Sequence, residues 1–118
     1  DGTCVRGFLH SYDTARAFQK ILEKGKIGEI YNIGCDDKME YSVKEVSEIL
    51  IRLIKNLNLE NINDYITYID DRPFNDQRYY ISNKKLKDLG WTVKIKFMDG
   101  LKHMIDFPND REYKNLIQ

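Results

Sequence analysis

The chain has 118 residues, with 19 Lys and Arg balanced by 19 Asp and Glu, so its formal net charge at pH 7 is zero. A chain of this length makes one domain and buries about 65% of its unfolded surface, which allows a modest core. With no basic excess, general nucleic-acid binding is argued against, and any anion must be held by a few placed arginines. No apolar run approaches the ~18 residues of a membrane-spanning helix, and no basic-then-apolar leader opens the chain. Cys4 and Cys35 stand alone, with no histidine at ligand spacing. That predicts two reduced thiols, a cytoplasmic location and no metal site. The start at Asp1-Gly2-Thr3, a turn rather than a Met, suggests the middle of a longer protein.

In chain order, Val5 to His10 reads as a strand after a turn. Ser11 or Asp13 offers a side-chain oxygen to cap the next helix. Ala15, Phe18, Ile21 and Leu22 fall on one face of that helix, and Gly25 stops it through a left-handed conformation. Glu29-Ile-Tyr-Asn-Ile-Gly34 alternates like a strand. Ser42-Val-Lys-Glu45 is a capping box. Behind it runs an apolar stripe of Val43, Val46, Ile49, Leu50, Leu53, Ile54 and Leu57. Asn58 to Asp64 is a loop or a frayed helix end, and Tyr65 to Ile69 a strand. Asp70 to Tyr79 is polar, contains a proline and reads as an ordered loop. Ser82 caps a short helix ended by Gly90. Phe97, Leu101, Met104 and Ile105 mark a last amphipathic helix that Pro108 stops. The tail from Asn109 is charged.

The alternation of strands and helices predicts an α/β fold. Its few strands would leave two sheet edges exposed, and a partner sheet from sequence outside this chain would cover them.

The chemistry-bearing candidates are few. Proline disfavours the helical region for the residue before it, so Arg72 is held extended by Pro73. A fixed guanidinium suits bidentate phosphate binding. Arg6 opens the first strand and Arg78 follows the loop, so two of the three could converge as a diphosphate clamp. Arg72 and Arg78 could instead pair with Asp70, Asp71 and Asp76, and spacing leaves both arrangements open. Asp70 and Asp71 are neighbours on extended chain and point to opposite faces, which argues against a shared proton or metal. His10 reads as structural and His103 as solvent-facing on its helix. Trp91, after Gly90, reads as a packing anchor.

Two spacings mislead. Tyr80-Ile-Ser-Asn-Lys84 has a Tyr-x-x-x-Lys spacing, but a cap at Ser82 puts Tyr80 in extended chain and Lys84 in a first helical turn. Gly25-x-x-Gly28 precedes a strand rather than opening a helix, so it lacks the context of a dinucleotide-binding turn.

Several stretches occur together in order: Arg6-Gly-Phe-Leu-His10, Ala15-Arg-Ala17, Gly28-Glu-Ile-Tyr-Asn-Ile-Gly34, Thr67-Tyr-Ile-Asp-Asp-Arg-Pro-Phe-Asn-Asp-Gln-Arg-Tyr79, Leu89-Gly-Trp91 and Gly100-Leu101. In this the chain resembles the C-terminal third of the dTDP-glucose 4,6-dehydratases, NAD-dependent members of the extended short-chain dehydrogenase family. The resemblance implies an α/β, Rossmann-type fold of which this chain is the C-terminal part. Residues 1–34 would complete the Rossmann sheet, and residues 35–118 would form the nucleotide-sugar substrate-binding lobe. It implies that Arg6 and Arg72 contact the nucleotide diphosphate, with Asn75 and Tyr41 beside the nucleotide. Asn75 stands where the family often has histidine, and Tyr41 where it has a small polar residue. Gly7 replaces an acidic or amide residue, and Phe74 replaces glycine.

In the whole enzyme the family's reaction takes a hydride from the sugar's fourth carbon to NAD. Water is then lost across the fifth and sixth carbons, and the hydride returns to the sixth. The glycine-rich NAD turn and the helical Tyr-x-x-x-Lys are absent from this chain, so no turnover is expected of it alone. The whole enzyme is expected to be a homodimer acting on dTDP-glucose. A sister epimerase or decarboxylase, or a non-catalytic nucleotide-sugar or protein-binding module, are the alternatives.

Overall fold

The computed structural model describes residues 2–55, 59–70, 73–74 and 76–107. Two short strands, β1 (Val5–Gly7) and β2 (Glu40–Ser42), pair as one sheet. Four α-helices accompany them among the described residues: α1 (Ser11–Lys24), α2 (Val43–Lys55), α3 (Lys84–Asp88) and α4 (Phe97–Asp106). The chain divides into two units. One joins Asp1–Arg6 to Glu40–Tyr79, and the other joins Gly7–Met39 to Tyr80–Gln118.

In the first unit the capping box forms as its sequence requires. Ser42 N–H donates to Glu45 Oε2 at 2.6 Å, and Glu45 N–H donates to Ser42 Oγ at 3.1 Å. Two orphan donors at the start of α2 are thereby satisfied. The Ser42 backbone and hydroxyl bonds hold the Glu45 carboxyl below its ordinary range. The apolar stripe of α2 is half-buried from Val46 to Leu53, with Val43 and Ile54 exposed, and Leu57 lies outside the described residues. A 3₁₀ segment, Leu59–Tyr65, follows, and its Ile62 is buried.

The second unit holds the core cluster, in which Ala17, Leu86 and Trp91 are fully buried. Leu9, Ile21, Ile33, Leu89 and Val93 pack against them. A buried indole removes about 200 Å² from water, an upper bound of roughly 5 kcal/mol. Trp91 is thus the packing anchor expected of it, and its Nε1–H donates to the Asp13 carbonyl at 3.0 Å. Gly90 supplies the turn before it, at φ 87°.

Several expectations are corrected here. Neither Ser11 nor Asp13 caps α1. His10 does, its ring Nδ1 accepting the Tyr12 N–H at 3.1 Å. Asp13 is drawn inside, where Oδ2 accepts from the backbone N–H groups of Lys94 (3.0 Å) and Ile95 (2.9 Å). Its Oδ1 takes Arg16 Nη1 at 2.7 Å. This bond set rotates the helix, so Asp13 and Ala17 face inward while Phe18 is 63% and Leu22 89% exposed. Gly25 is extended, at φ −66° and ψ 147°, not left-handed. It is small because the Ile21 carbonyl lies where a Cβ would go. On α4 the buried face is Gly100 and His103, with Met104 exposed. His103 is therefore inside rather than solvent-facing, because Gly100 lets α4 approach the His10 ring closely.

Two expected strands, 29–34 and 65–69, make no ladder among the described residues, and β1 stops at Gly7 instead of His10. Strand propensity is realised only against a neighbouring strand, and among the described residues none pairs with these segments. Pairing went instead to Glu40–Ser42, a stretch with no strong strand signature.

Candidate functional site

The arginine expected to grip phosphate, Arg6, occupies the middle of β1 and is half-buried. β1 is flanked by β2 on one edge. On the other, Val5 N–H donates to the Gln77 carbonyl at 2.7 Å, and Val5 forms a parallel bridge with Arg78. The short strand therefore draws the end of the Asp-Arg-Pro loop alongside itself. Arg6 Nη1 donates to the Val5 carbonyl at 2.7 Å. The Arg6 guanidinium carbon lies 4.9 Å from the centroid of the Tyr79 ring, a cation–π contact.

Tyr41 lies in the middle of β2, so Arg6 and Tyr41 stand on neighbouring strands of one sheet. By strand alternation Tyr41 faces away from the side taken by Glu40 and Ser42. Arg72 and Asn75 lie outside the described residues, as does Asp71.

Arg78 reaches a partner that the spacing did not suggest, Glu40 on β2. Its Nε and Nη2 donate to the two oxygens of Glu40, at 3.0 Å and 2.5 Å. This fork, reinforced by charge attraction, holds the Glu40 carboxyl below the usual carboxylate range, with desolvation opposing it. Sequence reading passed over Glu40, because nothing local marks a residue that meets its partner 38 positions on.

Tyr80 lies in non-helical chain, while Lys84 opens α3 and pairs with Asp88 at 2.8 Å. The two do not share a helix. The Gly25-x-x-Gly28 spacing opens no helix: Gly25 ends α1, and Gly28, at φ 85°, turns the chain onward. No cluster of metal-ligating side chains occurs among the described residues, and none of the described helices is long and apolar enough to cross a membrane.

No family model matches the chain. It is 41% identical over 117 residues to the dTDP-D-glucose 4,6-dehydratase of Bos taurus, covering 97% of this chain and 32% of that protein. It is also 41% identical over 107 residues to a trifunctional UDP-glucose 4,6-dehydratase, 3,5-epimerase and reductase of Arabidopsis thaliana, covering 91% of this chain and 15% of that protein. Its structure superposes with TM-score 0.76 and 33% identity on the dTDP-glucose 4,6-dehydratase of Bacillus anthracis solved with NAD, covering 98% of this chain and 35% of the other. The RMD protein of Pseudomonas aeruginosa, solved with NADPH, matches with TM-score 0.72 and 25% identity, over 90% of this chain and 33% of the other. The chain spans about a third of the length of the bovine and Bacillus proteins. Over nearly its whole length, this chain is a homologue of one portion of the nucleotide-sugar 4,6-dehydratases, and its α/β structure matches about a third of their Rossmann-type fold.

Proposed function

We propose that this chain is the nucleotide-sugar-binding portion of a 4,6-dehydratase that converts dTDP-glucose to dTDP-4-keto-6-deoxyglucose. The observation that carries the reading is the placement of Arg6 on β1, with the end of the Asp-Arg-Pro loop paired alongside. An arginine on a strand beside the loop that carries Arg72 suits a diphosphate better than a neutral ligand. Tyr41 on the adjacent strand and Asn75 on the loop are assigned to the nucleoside. Clamp energy of this kind gives affinity and, spent at a distance, supports a chemical step elsewhere in an enzyme.

By the resemblance, NAD and the proton-transferring tyrosine and lysine are assigned to sequence outside this chain; in keeping with that, Gly25 ends α1 and Gly28 opens no helix. When bound there, NAD supplies a hydride acceptor and donor; this chain's part is to hold and orient the sugar nucleotide. Residues 1–34 are assigned to completing the Rossmann sheet. In support, Phe18, Leu22, Ile27 and Ile30 are exposed, and residues 29–34 keep a strand's alternation without a ladder among the described residues. The whole enzyme is taken to be a cytoplasmic homodimer.

Calorimetric titration with dTDP tests the reading. The chain should bind dTDP, and Arg72→Ala should weaken that binding by at least tenfold. Equal affinity of parent and variant would sink the clamp.

A further inference from the structure

We propose that Glu40 and Tyr79 are positioning residues that fix the Arg6 guanidinium for an anionic ligand. The inference rests on the binding role given to Arg6 above and adds two side chains to it. The geometry forms a chain of contacts within one unit. Glu40, on β2, receives both Arg78 donors in a fork. A fork fixes the plane of a guanidinium, where a single bond leaves it free to pivot. Arg78 is bridged to Val5 through the backbone. The next residue, Tyr79, then lies beneath the Arg6 guanidinium at 4.9 Å, while Arg6 Nη1 is tied to the Val5 carbonyl.

Each link restricts the next. β1 carries Arg6, β2 carries the carboxylate that anchors Arg78, and the bridged segment carries the ring on which Arg6 rests. A guanidinium stacked on a ring face loses rotamer freedom before any ligand arrives. An anion meeting it therefore incurs less ordering entropy. The carboxylate of Glu40 is itself a negative charge near an anion's site, so through space it opposes binding. Retaining it is favourable only if anchoring Arg78 is worth more than that repulsion.

The opposition of these two effects provides the test. The chain is titrated calorimetrically with dTDP at pH 7 as parent, Glu40→Gln, Tyr79→Phe and Tyr79→Leu. Positioning predicts that Glu40→Gln weakens binding, because the second bond of the fork is lost. A pure charge effect predicts tighter binding. Tyr79→Phe keeps the ring face and should bind within twofold of the parent, whereas Tyr79→Leu should bind about threefold to tenfold more weakly. Glu40→Gln binding as well as or better than the parent, or Tyr79→Leu matching Tyr79→Phe, overturns the inference. If the parent fails to bind dTDP, the binding role of Arg6 fails, and this inference with it. A binding parent with indifferent variants defeats the positioning alone. Should Glu40→Gln not fold, the two Tyr79 variants decide the question.

Discussion

Replacing Asp13 by alanine should cost this chain a large part of its stability. The carboxylate is fully buried and has three partners: the backbone N–H groups of Lys94 and Ile95, and Arg16. Alanine leaves two main-chain donors without an acceptor, one of them buried and the other partly buried. Each orphaned donor costs about 1–3 kcal/mol, the Ile95 group more than the partly buried Lys94 group. Loss of the Arg16 pair adds little, since that side chain is partly exposed. The sum is about 3–5 kcal/mol, against roughly 5–15 kcal/mol for a domain of this size. Asp13→Asn keeps one acceptor and should cost about half as much. The chain has one tryptophan, Trp91, and its indole bonds to the Asp13 carbonyl. Urea unfolding followed by tryptophan fluorescence therefore reads the affected region directly. A loss below about 0.5 kcal/mol for Asp13→Ala would show that the bonds joining α1 to residues 94–95 do not hold the second unit together.

The His10 cap should make stability depend on pH. Burial pushes the imidazolium of His10 down, Asp13 pulls it partly back, and His103 lowers it again. Because the folded value lies below the ordinary 6.5, the unfolded chain takes up the proton first. This contribution is therefore complete above 6.5 and is lost as pH falls through the folded value. The melting temperature of the parent should drop between pH 7.5 and pH 5, and by less in His10→Asn, whose cap does not titrate. Parallel pH profiles would refute the role given to His10. Ser42→Ala, which removes half of a capping box, should cost about 1 kcal/mol in the same unfolding assay. No measurable loss would mean that α2 is held by its packing alone.

The parts of the structure legible in the sequence are those fixed by neighbours along the chain. The Ser42–Glu45 box involves residues three apart, and its bonds formed as read. Gly90 and Trp91 also announce themselves locally. Harder to read was anything decided by a distant partner. The inward turn of Asp13 depends on N–H groups 81 and 82 residues away, and the buried face of α1 follows it. The strand signals at 29–34 and 65–69 describe side chains suited to a sheet without saying whether a neighbouring strand is at hand. Of the candidate residues, Arg6 and Tyr41 come from the resemblance, and the structure puts them on adjacent strands. Glu40 was passed over because its fork with Arg78 spans 38 residues and nothing local marks it.

The central claim, that the sheet bearing Arg6 and Tyr41 holds a nucleoside diphosphate, is tested most directly by residue-resolved NMR. The ¹⁵N-labelled chain is titrated with dTDP, and the same titration is repeated with thymidine, which lacks the phosphates. Saturable shifts of the Arg6, Tyr41 and Tyr79 amides are expected with dTDP, and of the Arg6 side-chain Nε–H above all. Thymidine should move them far less at equal concentration. Unchanged resonances at Arg6 and Tyr79 with dTDP, or equal responses to the two ligands, would contradict it.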